Sequence, residues 1–120
     1  MSYYKKRKQA FKHAFEGLFA AFKEEAHLKI HAIATALVSG FGLFFNISRL
    51  DWLILLLCCA LVTGAELFNT AIEKLCDVVS PEQNPAIKFV KDVAAAAVLV
   101  FVIMAVMAGI FVFYPYVFTP

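Results

Sequence analysis

The sequence predicts an all-α membrane protein, built from an N-terminal amphipathic interfacial helix and three transmembrane helices. Hydrophobic residues make up 62% of the 120 residues, whereas a soluble domain of this length is usually nearer half apolar. The charged residues cluster in residues 5–29 and 73–92, and long stretches elsewhere carry none. Such blocks of charged and apolar sequence are typical of a membrane protein. We expect residues 1–120 to form a single membrane-embedded domain.

Composition and cysteine spacing argue against several other classes of protein. The net charge of +2 is too small to indicate a nucleic-acid partner. Cys58, Cys59 and Cys76 fit neither the spacing of a zinc site nor a disulfide framework, so we interpret them as apolar helix residues. The basic N-terminus is followed by amphipathic rather than continuously apolar sequence, which predicts that there is no cleavable signal peptide.

Residues 5–25 are predicted to form the interfacial helix. Phe11, Phe15, Leu18 and Phe22 are spaced by four, three and four residues, so they share one face of a helix. An aromatic face between basic flanking residues favours a helix that lies in the membrane interface. The alternative is an ordinary helix whose aromatic face packs on a protein core.

Three apolar stretches follow, at about residues 28–47, 52–72 and 93–114. About 20 apolar residues suffice for a helix to span the hydrocarbon core, so each stretch predicts one transmembrane helix. We expect the second helix to continue beyond the membrane toward Val79, before a break that contains two prolines. Pro115 is expected to end the third helix close to the C-terminus.

The distribution of lysine and arginine predicts the orientation of these helices. The N-terminal segment and the loop between the second and third spans carry most of the basic residues, whereas the first loop has only Arg49. The positive-inside rule therefore places the N-terminus and the second loop in the cytoplasm and the C-terminus outside. Three helices enclose little, so we also expect self-association, with Ala94–Ala97 allowing the close approach of another subunit.

A polar stripe in the second apolar helix is the strongest candidate for a functional site. Glu66, Asn69, Glu73 and Asp77 are spaced by three, four and four residues, and Glu66 lies deepest, roughly 10 Å from Glu73 along the axis. An ionisable residue within a span costs roughly 2.5–3.5 kcal/mol on insertion scales, so such residues usually serve a function. Glu66 is interpreted as a base for proton transfer, as the proton carrier of a small proton-coupled transporter or channel, or as a polar clamp between helices in a non-catalytic assembly protein.

Other charged residues could complete a site on the cytoplasmic side. Glu73 is suited to hold a hard cation, and magnesium prefers one or two carboxylates together with substrate phosphates. Glu25 could supply the second carboxylate, and Glu24 competes with it on spacing. Lys91 and Asp92 precede the third span, where the lysine could meet phosphate or the pair could simply anchor the start of the helix. No nucleotide-binding motif is present. The histidines are interpreted as interfacial residues rather than ligands: His13, His27 and His31.

Several runs of residues together carry a more specific signal. These runs are Glu66-Leu67-Phe68-Asn69-Thr70-Ala71-Ile72-Glu73, then Asp77 and Lys91-Asp92-Val93-Ala94-Ala95-Ala96-Ala97-Val98-Leu99, with Phe15-Glu16-Gly17-Leu18 and Glu25-Ala26 upstream. The chain resembles the bacterial diacylglycerol kinase family, which includes the undecaprenol kinases. The resemblance extends from about residue 6 to residue 113 without gaps.

That resemblance implies a fold, a reaction and a set of site residues. It implies a homotrimer in the bacterial cytoplasmic (inner) membrane that transfers the γ-phosphate of ATP to a lipid hydroxyl with the help of Mg²⁺. Glu66 would be the general base, and Glu25 and Glu73 would hold the metal ion. The resemblance places Lys6, His13, Asn69, Glu82, Asn84, Lys91 and Asp92 at the nucleotide site. It places Ala26, Lys29, His31, Glu66 and Ala95 at the lipid site, and the segment Lys29-Ile30-His31 favours undecaprenol over diacylglycerol as the substrate.

Overall fold

The computed structural model describes residues 2–82 and 84–119, so Met1, Gln83 and Pro120 of the predicted domain lie outside the described residues. The described residues form four helices: α1 (Tyr3–Glu24), α2 (Ala26–Phe45), α3 (Arg49–Val79) and α4 (Pro85–Phe118). The last three helices are each long and apolar enough to cross a membrane. The predicted all-α class, with one amphipathic helix ahead of three membrane-length helices, is confirmed.

Helix α1 lies outside the bundle that the longer helices form. Its first turn is capped by Ser2, whose hydroxyl oxygen accepts a hydrogen bond from the backbone N–H of Lys5 at 3.3 Å. Helix α1 contains no buried residue, and Phe11, Phe15 and Phe19 are 65%, 57% and 70% exposed. Leu18 and Phe22 of the predicted face are half-buried, so the first half of this face, around Phe11 and Phe15, remains available to a membrane surface.

A tight turn joins α2 to α3 and makes the two helices antiparallel neighbours. Asn46 adopts a left-handed conformation with φ 51°, and its backbone N–H donates to carbonyl oxygens at the end of α2. Ser48 then caps α3 by accepting a hydrogen bond from the Asp51 N–H at 3.1 Å. The connection is shorter than the gap between the predicted spans at 28–47 and 52–72, because Arg49 already belongs to α3.

A small apolar core holds the α2–α3 turn against the end of α4. Ile47, Leu55 and Val112 are each 5% exposed, and aromatic side chains pack around them. The hydroxyl group of Tyr116 accepts a hydrogen bond from the Ser48 N–H at 3.1 Å and donates one to a carboxylate oxygen of Asp51 at 2.7 Å. These bonds fix the C-terminal end of α4 to the turn.

Helix α4 is longer than predicted at both ends. It begins at Pro85, where a proline is well tolerated because the first helical N–H has no partner within the helix, and Asn84 caps it. The prediction that Pro115 ends the helix is wrong, since α4 continues to Phe118. A proline removes its own N–H but not those of later residues, and the N–H of Thr119 still donates to the Pro115 carbonyl oxygen at 3.1 Å. The Tyr116 contacts described above also stabilise this last turn.

The most extensive helix packing is between α3 and α4. Ala94 and Val98 of α4 are buried in this contact region of the chain. Only Ala95, Ala96 and Ala97 of the predicted alanine surface therefore remain exposed for another subunit. The buried side chains of α3 include a polar group that defines the candidate site: Glu66, Asn69 and Thr70.

Candidate active site

The polar stripe of α3 runs from a buried end to an exposed end. Glu66 and Asn69 are 4% and 8% exposed, Glu73 is half-buried, and Asp77 is exposed. This gradient follows from the helical spacing, because all four side chains lie on one face while the helix extends beyond the apolar part of the bundle. The stripe therefore connects the interior of the apolar bundle with its polar end.

The closest charged or titratable neighbour of Glu66 is His31 on α2. The Nε2 atom of His31 lies 3.8 Å from Oε2 of Glu66, and the two side chains are 20% and 5% exposed. The sequence analysis interpreted His31 as an interfacial residue and did not predict that it meets Glu66. Helix register could have provided a signal, because in an antiparallel hairpin both residues lie at similar depth, roughly 20–25 Å from the turn at 1.5 Å per residue.

Two polar atoms beside Glu66 have no partner among the described residues. The side-chain oxygen Oδ1 of Asn69 and the hydroxyl oxygen of Thr70 are both buried and make no hydrogen bond within residues 2–82 and 84–119. Leaving a buried polar atom unsatisfied costs about 1–3 kcal/mol, so these atoms indicate a place where a polar ligand or another subunit fits. Sequence analysis missed Thr70, because a threonine within an apolar helix carries no distinctive signal.

Ion pairs surround the exposed end of the stripe. Nζ of Lys91 donates to Oδ1 of Asp77 at 2.7 Å, which ties the start of α4 to α3. Lys91 lies just before the apolar stretch 93–114. Its hydrogen bond to Asp77 is the main reason that its pKa is raised above the ordinary value. Lys91 therefore stays positively charged at neutral pH and pairs with Asp77 rather than with its neighbour Asp92. Asp92 instead accepts a hydrogen bond from Lys88 at 2.5 Å.

The two carboxylates expected to hold a metal ion lie in neighbouring segments. Nζ of Lys74 is 3.4 Å from a carboxylate oxygen of Glu24, so the end of α1 lies beside the turn of α3 that contains Glu73. Glu25 and Glu73 are both half-buried, and neither forms an ion pair with a basic residue in the part of the chain that the structure describes. No group of three or more His, Cys, Asp or Glu side chains converges there. Two carboxylates fit a magnesium ion that also binds substrate phosphates, but they do not supply all the ligands of the ion.

The remaining predicted nucleotide residues are spread along the polar edge of the chain. Lys6 and His13 are exposed on α1, and Nδ1 of His13 lies 3.5 Å from a carboxylate oxygen of Glu16. Glu82 is exposed in the loop before α4, and Oδ1 of Asn84 accepts a hydrogen bond from the Ile87 N–H at 2.9 Å. Within the described ranges, neither Lys6 nor His13 makes a hydrogen bond or ion pair to α3 or α4. The structure thus does not bring them into contact with the stripe.

An apolar cavity of about 450 Å³ lies between α2, α3 and α4. Its lining begins at His31 and Thr63, one turn before Glu66, and extends to Phe41 and Phe113 at the far end of the bundle. Among the described residues, only three lining side chains carry nitrogen or oxygen, and the hydroxyl group of one of them, Thr35, already donates to the His31 carbonyl oxygen at 2.8 Å. The other predicted lipid residues are exposed nearby on the helix surfaces: Ala26, Lys29 and Ala95.

Comparison with known proteins assigns the family. The sequence model of prokaryotic diacylglycerol kinase matches residues 12–113, and the chain belongs to this family. Among curated proteins it is similar to an undecaprenol kinase of Bacillus subtilis, with 33% identity over 107 residues that cover 89% of this chain and 87% of the relative. A diacylglycerol kinase of Synechocystis is 32% identical over 101 residues, covering 83% of this chain and 58% of that protein. A diacylglycerol kinase of Pseudomonas aeruginosa is 31% identical over 85 residues, covering 71% and 69%.

Membership of this family defines the class of protein and its location. The chain is a lipid kinase, and a kinase implies ATP as the co-substrate. Its three apolar helices and its bacterial family together make it a protein of the bacterial inner membrane. The comparisons give no support to the alternative of a transporter or channel that uses Glu66.

Proposed function

We propose that the protein catalyses ATP- and Mg²⁺-dependent phosphorylation of a membrane lipid hydroxyl, with undecaprenol as the favoured substrate. The observation that carries this proposal is a carboxylate, Glu66, that is 4% exposed and lies beside the His31 end of an apolar cavity. A lipid alcohol has its hydroxyl at the end of a hydrocarbon chain. The cavity can accept the part of the chain next to the hydroxyl group, while the hydroxyl group meets the carboxylate.

The proposed reaction uses Glu66 as the general base. Glu66 takes the proton of the lipid hydroxyl as the hydroxyl oxygen bonds to the γ-phosphorus of ATP, and the bond from that phosphorus to the bridging oxygen breaks. ADP leaves with the bonding electron pair, and the proton remains on Glu66 until water accepts it. Most of the rate enhancement comes from positioning and charge neutralisation, because phosphoryl transfer needs little covalent help.

The exposed end of the stripe would hold the nucleotide. Glu25 and Glu73 would bind Mg²⁺ together with the phosphates, and the bound ion supplies charge neutralisation on the phosphate oxygens. The ammonium group of Lys91 would leave Asp77 and bind a phosphate. The unpartnered Oδ1 atom of Asn69 would gain a hydrogen-bond partner from the nucleotide. We propose further nucleotide contacts for Lys6, His13, Glu82, Asn84 and Asp92. The lipid would enter past Ala26, Lys29, His31 and Ala95.

The chemistry of the cavity supports undecaprenol over diacylglycerol. A polyprenol presents one hydroxyl group on a hydrocarbon chain, whereas a diacylglycerol also carries two ester groups whose oxygens require hydrogen-bond donors when they are buried. Among the described lining side chains, Thr35 already donates to its own helix and Nε2 of His31 faces Glu66, which leaves Thr63 as the donor for two ester groups. The similarity to a Bacillus protein named undecaprenol kinase agrees with this preference.

We also propose that three copies assemble with the N-terminus and the α3–α4 loop in the cytoplasm and the C-terminus outside. The exposed alanines Ala95–Ala97 and the unpartnered hydroxyl oxygen of Thr70 support association, because close helix packing needs small residues and buried polar atoms need partners. The basic residues of the N-terminal segment and the α3–α4 region support this orientation.

The test is a phosphorylation assay with the purified protein in lipid vesicles. With labelled ATP and Mg²⁺, undecaprenol should be phosphorylated faster than diacylglycerol, and chelation of Mg²⁺ should abolish both products. Glu66→Gln should lower kcat at least about 100-fold while ATP binding persists, since a general base contributes roughly 10²–10⁴-fold. The control is Arg49→Gln, at an exposed charged residue at the other end of the same helix, which should retain activity.

Three results would each contradict a different part of the proposal. The absence of phosphorylated product from either lipid would refute the kinase activity itself, and faster phosphorylation of diacylglycerol would refute the substrate preference. Full activity of Glu66→Gln would remove Glu66 from the role of the base and leave the kinase assignment intact.

A further inference from the structure

Glu66 has a notably sparse set of neighbours for a buried carboxylate. In the described parts of the chain, no lysine or arginine nitrogen lies within 4 Å of its oxygens, and no hydrogen bond reaches them. Among residues 2–82 and 84–119, the imidazole of His31, 3.8 Å away, is the sole basic side chain at this distance. The orientation of the Glu66 carboxylate therefore depends on His31 more than on any other charged or titratable side chain.

The contact joins Nε2 of His31 to one of the two carboxylate oxygens of Glu66. A carboxylate that takes a proton works best when one oxygen is held by a donor and the other faces the reacting hydroxyl. The approach is between Nε2 of His31 and Oε2 of Glu66, so Oε1 would be the oxygen that meets the lipid hydroxyl. The distance of 3.8 Å exceeds a hydrogen bond by a few tenths of an ångström, and such contacts commonly tighten when substrate binds.

The position of His31 is set by rigid surroundings. Leu28, three residues earlier on the same helix, is 0% exposed and anchors this part of α2 in the bundle. The carbonyl oxygen of His31 accepts a hydrogen bond from the Thr35 hydroxyl group at 2.8 Å. His31 also lines the apolar cavity, so it borders both the space for a lipid chain and the carboxylate.

The other groups that face His31 would not replace it. Besides Glu66, helix α3 presents the thiols of Cys58 and Cys59 to the same cavity, and both are farther along the helix toward the turn. The residues that α4 contributes to the lining carry no titratable side chain. The His31–Glu66 contact is therefore the one place where an imidazole meets a carboxylate in this cavity, as far as the described residues extend.

We infer that His31 is a positioning residue that holds the Glu66 carboxylate for deprotonation of the lipid hydroxyl. In the reactive arrangement the Nε2–H group of His31 donates a hydrogen bond to one oxygen of Glu66, and the free oxygen accepts the proton of the lipid. No proton leaves His31 in this step. The inference rests on the proposed function of Glu66 as the base.

The experiment compares three substitutions of His31 in the phosphorylation assay. His31→Leu should lower kcat about 10- to 100-fold with little change in the KM for ATP, because only the arrangement of the base is lost. His31→Gln, which keeps an N–H donor, should retain much more of kcat. His31→Ala should be rescued by added imidazole and not by toluene, which fills a similar space without a donor. His27→Leu, at an exposed histidine one turn earlier, is the control and should keep wild-type kcat.

A double substitution separates positioning from a general structural role. His31→Leu added to Glu66→Gln should slow the reaction no further than Glu66→Gln alone, since the two residues act as one unit. Independent losses that multiply, unchanged kcat in His31→Leu, or a loss that neither glutamine nor imidazole restores would overturn the inference. These outcomes differ from failure of the proposed function, in which the wild-type protein itself would yield no phosphorylated lipid.

Discussion

At the scale of a single residue, Asn69 is expected to lower the stability of the ligand-free protein and to strengthen ligand binding. Its side chain is 8% exposed, and its Oδ1 atom has no hydrogen-bond partner in the described residues. A buried amide without partners destabilises the ligand-free protein, so its presence makes sense if the ligand completes its hydrogen bonds. Thr70 is in the same situation one residue later.

Asn69→Leu should therefore stabilise the ligand-free protein while it impairs the reaction. Leucine has a similar size and removes an unsatisfied polar atom, so the melting temperature in detergent should stay the same or rise. The KM for ATP should increase about tenfold or more, because one polar contact to the nucleotide is lost. A lower melting temperature with an unchanged KM would show instead that Asn69 serves the fold and not the nucleotide.

Lys91 and Asp77 illustrate a different residue-scale effect at the exposed end of the stripe. Their side chains are 2.7 Å apart and remain accessible to water. Exposed ion pairs contribute little to stability because water and salt compete with them. A phosphate group can consequently take the place of Asp77 without a large loss of folding free energy.

At the scale of the element, the packing of α2 on α3 depends on one close approach. Gly42 of α2 lies against the indole of Trp52 on α3, and a Cβ atom at this glycine would come within 2.8 Å of the ring. A glycine is required here because the indole already occupies the space of a side chain. This approach helps to fix the rotation of α2, and with it the direction of His31.

Gly42→Ala should destabilise the hairpin that these two helices form. The extra methyl group forces the indole ring to move, and overpacking of this kind typically costs about 1–3 kcal/mol. Gly40→Ala is the matched control, since nothing lies within 4 Å of the place that its Cβ atom would take and alanine is the better helix former. Unfolding in mixed micelles should show a lower free energy of unfolding for Gly42→Ala than for the wild-type protein, and no such decrease for Gly40→Ala. Equal stability of the two variants would mean that the indole moves at no cost.

At the scale of the whole molecule, the chain leaves most of its apolar surface uncovered. Phe44, Phe68 and Phe111 are 80%, 75% and 75% exposed, and all three lie in helices long enough to cross a membrane, where lipid would surround them. Lipid chains can cover such a surface at no cost, but they cannot satisfy the buried polar oxygens beside Glu66. Association with further copies would supply polar partners and cover the exposed alanines of α4.

The proposed trimer should be visible as a particle of three times the 13.3 kDa chain mass after subtraction of bound detergent. Ala96→Phe should disrupt the trimer, because a large side chain prevents the close approach of helices, and Ala96→Ser should preserve it. Light scattering combined with size-exclusion chromatography would measure both. A wild-type monomer would contradict the trimer, whereas an intact trimer with Ala96→Phe would place the interface away from these alanines.

The sequence alone determined the all-α class, the three membrane-length helices and the spacing that puts Glu66, Asn69 and Glu73 on one face. These properties are local, because a helix satisfies its own backbone hydrogen bonds and its period follows from residue spacing. Orientation in the membrane and the residues that bind nucleotide stay predictions from the basic residues and the family pattern.

Only the tertiary structure decided which side chains meet across helices. The His31–Glu66 contact and the Lys91–Asp77 pair both join residues on different helices, and the continuation of α4 through Pro115 is supported by Tyr116 contacts to the distant α2–α3 turn. Such contacts depend on the rotation and register of packed helices. Close packing between distant residues sets that rotation and register, and residue spacing within one helix does not contain this information.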